Sequence, residues 1–211
     1  MRFIAFRVRD ANQLTLDIEK KEHTGILRAD REWWLCHSDW NSKTGLITRY
    51  GNNYENKYKK YADRLDYTVK HPLKNPYKDI SLSRPIHNKD SGKFIDHPDS
   101  KYINSAFEHI KTIYNNLYKK YILNEVKEEN LPEVNNLIAE IKWILAHSTP
   151  WERGSDAISN TFIRAVYKAM GVKSYPLKRG ISLDLEAYCT NLEEYKQKFA
   201  SYFTHNPKII D

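Results

Sequence analysis

The stretch LPEVNNLIAEIKWILAHSTPWERGSDAISNTFIRAVYKAMG, Leu131–Gly171, decides how the chain is read. Pro132 suits the first turn of a helix, where its missing N–H costs nothing. Val134, Leu137, Ile138, Ile141, Ile144 and Leu145 then recur at helical spacing and predict an apolar inner face ending at His147. A turn containing Pro150 and Gly154 follows. Ser155 can cap a second helix with inner face Ile158, Phe162, Ala165, Val166 and Met170, closed by Gly171. Two helices so joined point one imidazole and one positive helix end toward the same small volume.

Downstream, Asn191 with Glu194 three residues later reads as a capping box opening a last helix that presents Tyr195, Phe199 and Phe203. Upstream, Asp99 or Ser100 can cap a helix with stripe Tyr102, Ile103, Phe107, Ile110, Ile113, Tyr114, Leu117 and Tyr121. Residues 70–100 carry His-Pro, Asn-Pro and Arg-Pro pairs, which predicts irregular loop or a short hairpin around Asp90-Ser91-Gly92. His71, His87 and His97 lie in that segment, but their spacing does not place two on one helical or strand face, so no metal site is assigned.

Tyr54, Tyr58, Tyr61 and Leu65 mark one face of another helix, with Lys57, Lys59 and Lys60 off the stripe. Earlier still, 2–9 and 14–18 alternate like two half-buried strands of an antiparallel hairpin, and 25–27 and 45–48 suggest short strands. Trp33, Trp34 and Trp40 are read as packing between sheet and helices, the commoner use of large aromatics. The fold class expected is α+β, mainly α: a β-rich part with a helix and long loop over 1–100 and a helical bundle over 101–211, in one compact domain.

The 211 residues suffice for one sizeable core. A hydrophobic content of 40% with 13% aromatics fits a folded chain, and 29% charged residues fit a soluble one with no membrane span. Arg2, Arg7, Arg9 and Asp10 interrupt the start, so no signal peptide is read and a cytoplasmic origin is expected. Cys36 and Cys189 have no metal-type spacing and are read as two reduced thiols. The net charge of +7 favours acidic partners: nucleic acid, phosphate-bearing ligands or anionic lipid headgroups. Basic residues are nonetheless interleaved with 27 acids, and no block of like charge declares itself.

Chemistry concentrates in the turn His147–Ser155. Backbone N–H groups at a helix start are unpaired and the dipole is positive there, so Gly154 and Ser155 offer an anion site. Arg153 and Arg164 can add charge-assisted hydrogen bonds, and His147 can serve as a general base. The same residues also suit a purely structural use, with His147 closing one helix and Gly154-Ser155 opening the next.

A histidine ending one helix, a Pro-aromatic pair, a Gly-led loop and a second helix resemble the core of the Fic (Fido) family. That resemblance covers 102–203 by order of elements and rests by motif on His147, Pro150 and Gly154. Ser148 and Thr149 are additional, Arg153 stands where the family has its magnesium-holding acid, and Ser155, Asp156 and Ala157 replace Asn, Gly and Arg. The resemblance implies a Fic-like helical bundle and a transferase moving a nucleotidyl or other phosphate-linked group. ATP or a similar nucleotide would be the donor and a protein Ser, Thr or Tyr hydroxyl the acceptor. His147 would then be the base and Arg153, Gly154, Ser155 and Arg164 the phosphate site, with the need for Mg²⁺ open. Such a chain also fits a bacterial effector delivered into a host cell. Two alternatives stand beside this: an inactive protein-binding effector of the same fold, and a basic nucleic-acid-binding domain using the lysines and tyrosines of the first half.

Overall fold

The computed structural model describes residues 55–88, 92–151 and 154–210. The expected N-terminal strands, the tryptophans at 33, 34 and 40, and Arg153 lie outside them.

Among the described residues six α-helices and two short antiparallel ribbons follow in order: α1 (Glu55–Lys70), β1 (Arg84–Asn88), β2 (Gly92–Asp96), α2 (Ile103–Leu117), α3 (Leu131–Ser148), α4 (Ser155–Ala169), β3 (Val172–Lys173), α5 (Leu183–Tyr188), α6 (Leu192–Phe199) and β4 (Lys208–Ile209). Mainly helical α+β architecture is therefore what the chain adopts. β1 pairs with β2 from Arg84↔Asp96 to Asn88↔Gly92, which realises the expected hairpin around residues 90–92.

α3 is the axis of the molecule and packs against α2, α4, α5 and α6. Its apolar residues run nearly all round, from Leu131 and Val134 through Ile138, Ile141, Trp143, Ile144 and Leu145 to Ala146, all buried. A helix apolar on every side has to be central, because no face of it can be given to water. Trp143 is fully enclosed, worth about 2–3 kcal/mol in area removed from water. Its indole N–H donates to the Thr190 carbonyl at 3.1 Å and ties α3 to the end of α5.

α1 lies against this bundle through buried Tyr61, Ala62 and Leu65. Tyr61 donates to Glu186 at 2.7 Å, and Arg64 donates to the other oxygen of that carboxylate at 2.7 Å and to Thr190 at 2.9 Å. At the other end of α2, Tyr118–Ile122 widen into a π-turn, with Asn124 donating to the Lys119 carbonyl at 2.9 Å.

Two expected caps are used differently. Ser155 is the first residue of α4 and not its cap; left-handed Gly154 (φ 77°) turns the chain into the helix instead. Asn191 takes the expected cap position of α6 but makes no side-chain capping bond, and its side-chain oxygen accepts from the backbone N–H of Lys74 at 2.7 Å. Long-range pairing took the amide that a local box would have used.

Candidate functional site

Thr149 is where α3 stops. Its φ of 43° is left-handed, a costly conformation for a β-branched residue, and it is the single non-glycine in that region among the described residues. The turn that follows is closed by Ser155, whose hydroxyl donates to the Trp151 carbonyl at 3.0 Å and accepts from the Trp151 N–H at 3.2 Å. The Ser155 hydroxyl thus holds the turn, while Gly154, whose backbone N–H was expected with that of Ser155 to face an anion, is exposed.

His147 is 0% exposed. Its ring packs 4.2 Å from that of Trp143 and edge-on to Tyr188 at 5.7 Å. Nε2 lies 3.2 Å from the Ala187 carbonyl, a contact in which the nitrogen must donate. Burial outweighs the backbone groups of Ala187 and Ser83 and pushes its pKa down to about 3, so the ring is neutral. The residue expected as a base thus points into the core, with no face open to a substrate hydroxyl. Arg164 is exposed nine residues past Ser155, which on a helix is about 13 Å along the axis, so it does not join the start of α4.

A different polar centre sits beneath that helix start. Lys142, on the inner face of α3, is 0% exposed. Its ammonium donates to Ser159 at 2.5 Å, Asp184 at 2.6 Å and Asp156 at 3.0 Å, which uses all three N–H groups. Burial alone would lower the Lys142 pKa, but the charges of Asp184 and Asp156 raise it above its ordinary value. Burial, then the charge of Asp156, pushes Asp184 up to about 6 against the pull of Lys142. Asp156 keeps 51% of its side chain exposed, and the Asn160 amide donates to it at 2.9 Å.

A second buried cluster joins the hairpin region to the end of α3. Ser83 donates its hydroxyl proton to the His147 carbonyl at 2.7 Å, so in its 2.8 Å contact with His97 the ring Nδ1 is the donor. Thr149 Oγ1 lies 2.9 Å from the same nitrogen. His97 is therefore part of the core, whereas His71 stacks on Tyr67 at 4.3 Å. No group of three or more His, Cys, Asp or Glu among the described residues is placed to hold a metal ion. Cys189 is a free thiol, pushed up to about 12 by burial.

Sequence reasoning passed over Lys142, Ser159, Asp184 and Ser83. One signal was legible: Lys142 falls four residues after Ile138 and three before Leu145, on the face read as apolar, and a lysine there must be paired. Nothing local announces that Asp184, from a different helix, would be its partner.

Comparison with known proteins replaces the relationship expected from His147, Pro150 and Gly154. No Fic-family relationship is found. A family model described as avirulence protein, AvrB_AvrC, matches residues 63–206. Avirulence protein B of Pseudomonas savastanoi pv. glycinea is 31% identical over 107 residues, covering 51% of this chain and 31% of that protein. The likeness thus spans about a third of that relative's length. The expected motif failed because its three residues are common turn and helix-end residues, and here His147 faces inward. With the family match extending over more than half of its length, the chain belongs to the AvrB_AvrC avirulence protein family.

Proposed function

We propose that this chain is an effector, delivered into a host cell, that works by recognising a host protein. The observation that carries this reading is the enclosure of His147, a neutral ring without exposed surface at the place where group-transfer chemistry was expected. The positive charge of Lys142 is consumed by Asp156 and Asp184, so it offers little to a phosphate-bearing donor. What the start of α4 presents outward is Gly154 and the exposed half of Asp156, a polar surface on a well-packed support. Membership of the avirulence family supports a role directed at a host.

The test uses the purified chain and a host-cell extract. Bound proteins are identified by mass spectrometry, and the strongest is purified and titrated calorimetrically. A Kd on the order of micromolar is expected, weakened by Asp156→Asn and retained by His147→Phe. The partner is also incubated with the chain, ATP and Mg²⁺, and its intact mass is expected to stay unchanged. A mass increase that depends on the chain would overturn recognition as the function and establish an enzyme.

A further inference from the structure

Two acid-free stretches of the chain come together on one face. From Ala157 to Leu183 there are five Lys or Arg residues and no Asp or Glu, and from Tyr195 to Ile210 there are lysines and again no acid. β3 and β4, one from each stretch, pair antiparallel with Val172 opposite Ile209 and Lys173 opposite Lys208. The Ile210 N–H donating to the Gly171 carbonyl at 2.8 Å extends the ribbon.

Side chains alternate across this ribbon. Val172 is buried and Ile209 half-buried, so they form the inner face, while Lys173 and Lys208 are exposed on the outer one. Two residues on from Lys208, the exposed Ile210 falls on the same outer side. Tyr175 is partly buried against the core, with the Lys173 ammonium 5.2 Å from its ring centroid and the His205 ring 4.9 Å away.

Like charges directly opposite on paired strands repel and destabilise the ribbon. Some other surface lysines are neutralised, Lys111 by Glu108, Lys120 by Glu133 and Lys198 by Glu194. Among the described residues no acid pairs with Lys173 or Lys208. What sets Lys173 and Lys208 apart is that they stand directly opposite each other across the ribbon, and a like-charge pair held in register points to an external anion.

We propose that the outer face of β3–β4 docks onto an anionic lipid surface, with Lys173 and Lys208 among the headgroups and Ile210 at the acyl boundary. Three features select lipid over other polyanions. The cations are lysines, compact point charges without the planar fork that reads phosphate or carboxylate in pairs. The Tyr175 ring is engaged by Lys173 and His205, which leaves it poorly placed to stack a base. An isoleucine standing 55% exposed amid cations suits the headgroup–acyl boundary, where apolar burial and charge attraction add. No helix of the described residues is long and apolar enough to cross a membrane.

The test is co-sedimentation of the intact chain with vesicles of phosphatidylcholine alone or with 30 mol% phosphatidylserine. Binding is expected only with phosphatidylserine and should weaken with salt. Each surface lysine contributes roughly a fivefold gain in partitioning. The double variant Lys173→Gln/Lys208→Gln should therefore bind about thirtyfold more weakly. Its melting temperature should be unchanged or raised, since a repulsive pair is removed. Ile210→Asp should also bind less, and Lys111→Gln should bind like the parent. Failure to bind phosphatidylserine vesicles, equal binding by the double variant, or capture of RNA or polyglutamate in place of vesicles would each overturn the assignment. Titration of the host protein is a separate measurement, so either proposal can fail alone.

Discussion

The ammonium of Lys142 lies 2.6 Å from Oδ1 of Asp184, the lysine without solvent contact and the carboxylate with 14% of its side chain exposed. Taking such charges out of water costs several kcal/mol apiece, and only close pairing with full hydrogen bonding offsets this. α3, α4 and α5 each contribute to that pairing, through Lys142, Asp156 with Ser159, and Asp184 respectively. The cluster therefore fixes how three helices meet.

Lys142→Met should be strongly destabilising, by about 3–5 kcal/mol, because Asp184 is left largely buried without its cation. Lys142→Met combined with Asp184→Leu should recover much of that loss, since an apolar pair of similar volume needs no compensation. Chemical denaturation of the parent and the variants reads both effects, and an additive double variant would show that the two residues act independently.

Asp184 holds its proton up to about pH 6 in the folded state, well above its ordinary carboxylate range. A folded-state pKa raised above the unfolded one gives stability that is present below the unfolded value and is lost as pH rises through the folded value. Relative to Asp184→Asn, the parent should lose stability between about pH 4 and pH 6. Unfolding free energies measured at half-unit steps give the difference curve.

His147 runs the other way. Its folded pKa is pushed down to about 3, so its contribution is present above the unfolded value near 6.5 and is lost as pH falls toward 3. His147→Phe keeps the ring between Trp143 and Tyr188 and removes the titration, so its stability should vary less across that range than the parent's. The cost at pH 7 should be about 1 kcal/mol, for the hydrogen bond to Ala187.

Thr149 separates backbone from side-chain effects at one position. Thr149→Val keeps the strained φ and loses the contact with His97, and should cost about 1–2 kcal/mol. Thr149→Gly loses the same contact but adopts that φ freely, so it should be less destabilising by about 1 kcal/mol. Thermal unfolding of the pair reads the difference, and equal melting temperatures would mean that the backbone at 149 is not strained.

Repeated apolar spacing made the helices legible from sequence. Val134 to Leu145 could bury their side chains in no other periodic form, and Pro132 and Gly171 marked their bounds for local steric reasons. Capping by Ser155 and Asn191 was misread because each polar side chain had a competing partner, Trp151 in one case and Lys74, distant in sequence, in the other.

The sequence by itself determined the mainly helical class, the apolar face of α3 and a basic net charge, because these follow from periodicity and composition. Tertiary structure alone decided that His147 would turn inward, that Lys142 would meet Asp184, and that two acid-free stretches would lie side by side. Each of those depends on contacts between residues dozens of positions apart. Packing selects such contacts among many sequence-compatible pairings, and no local pattern records the choice.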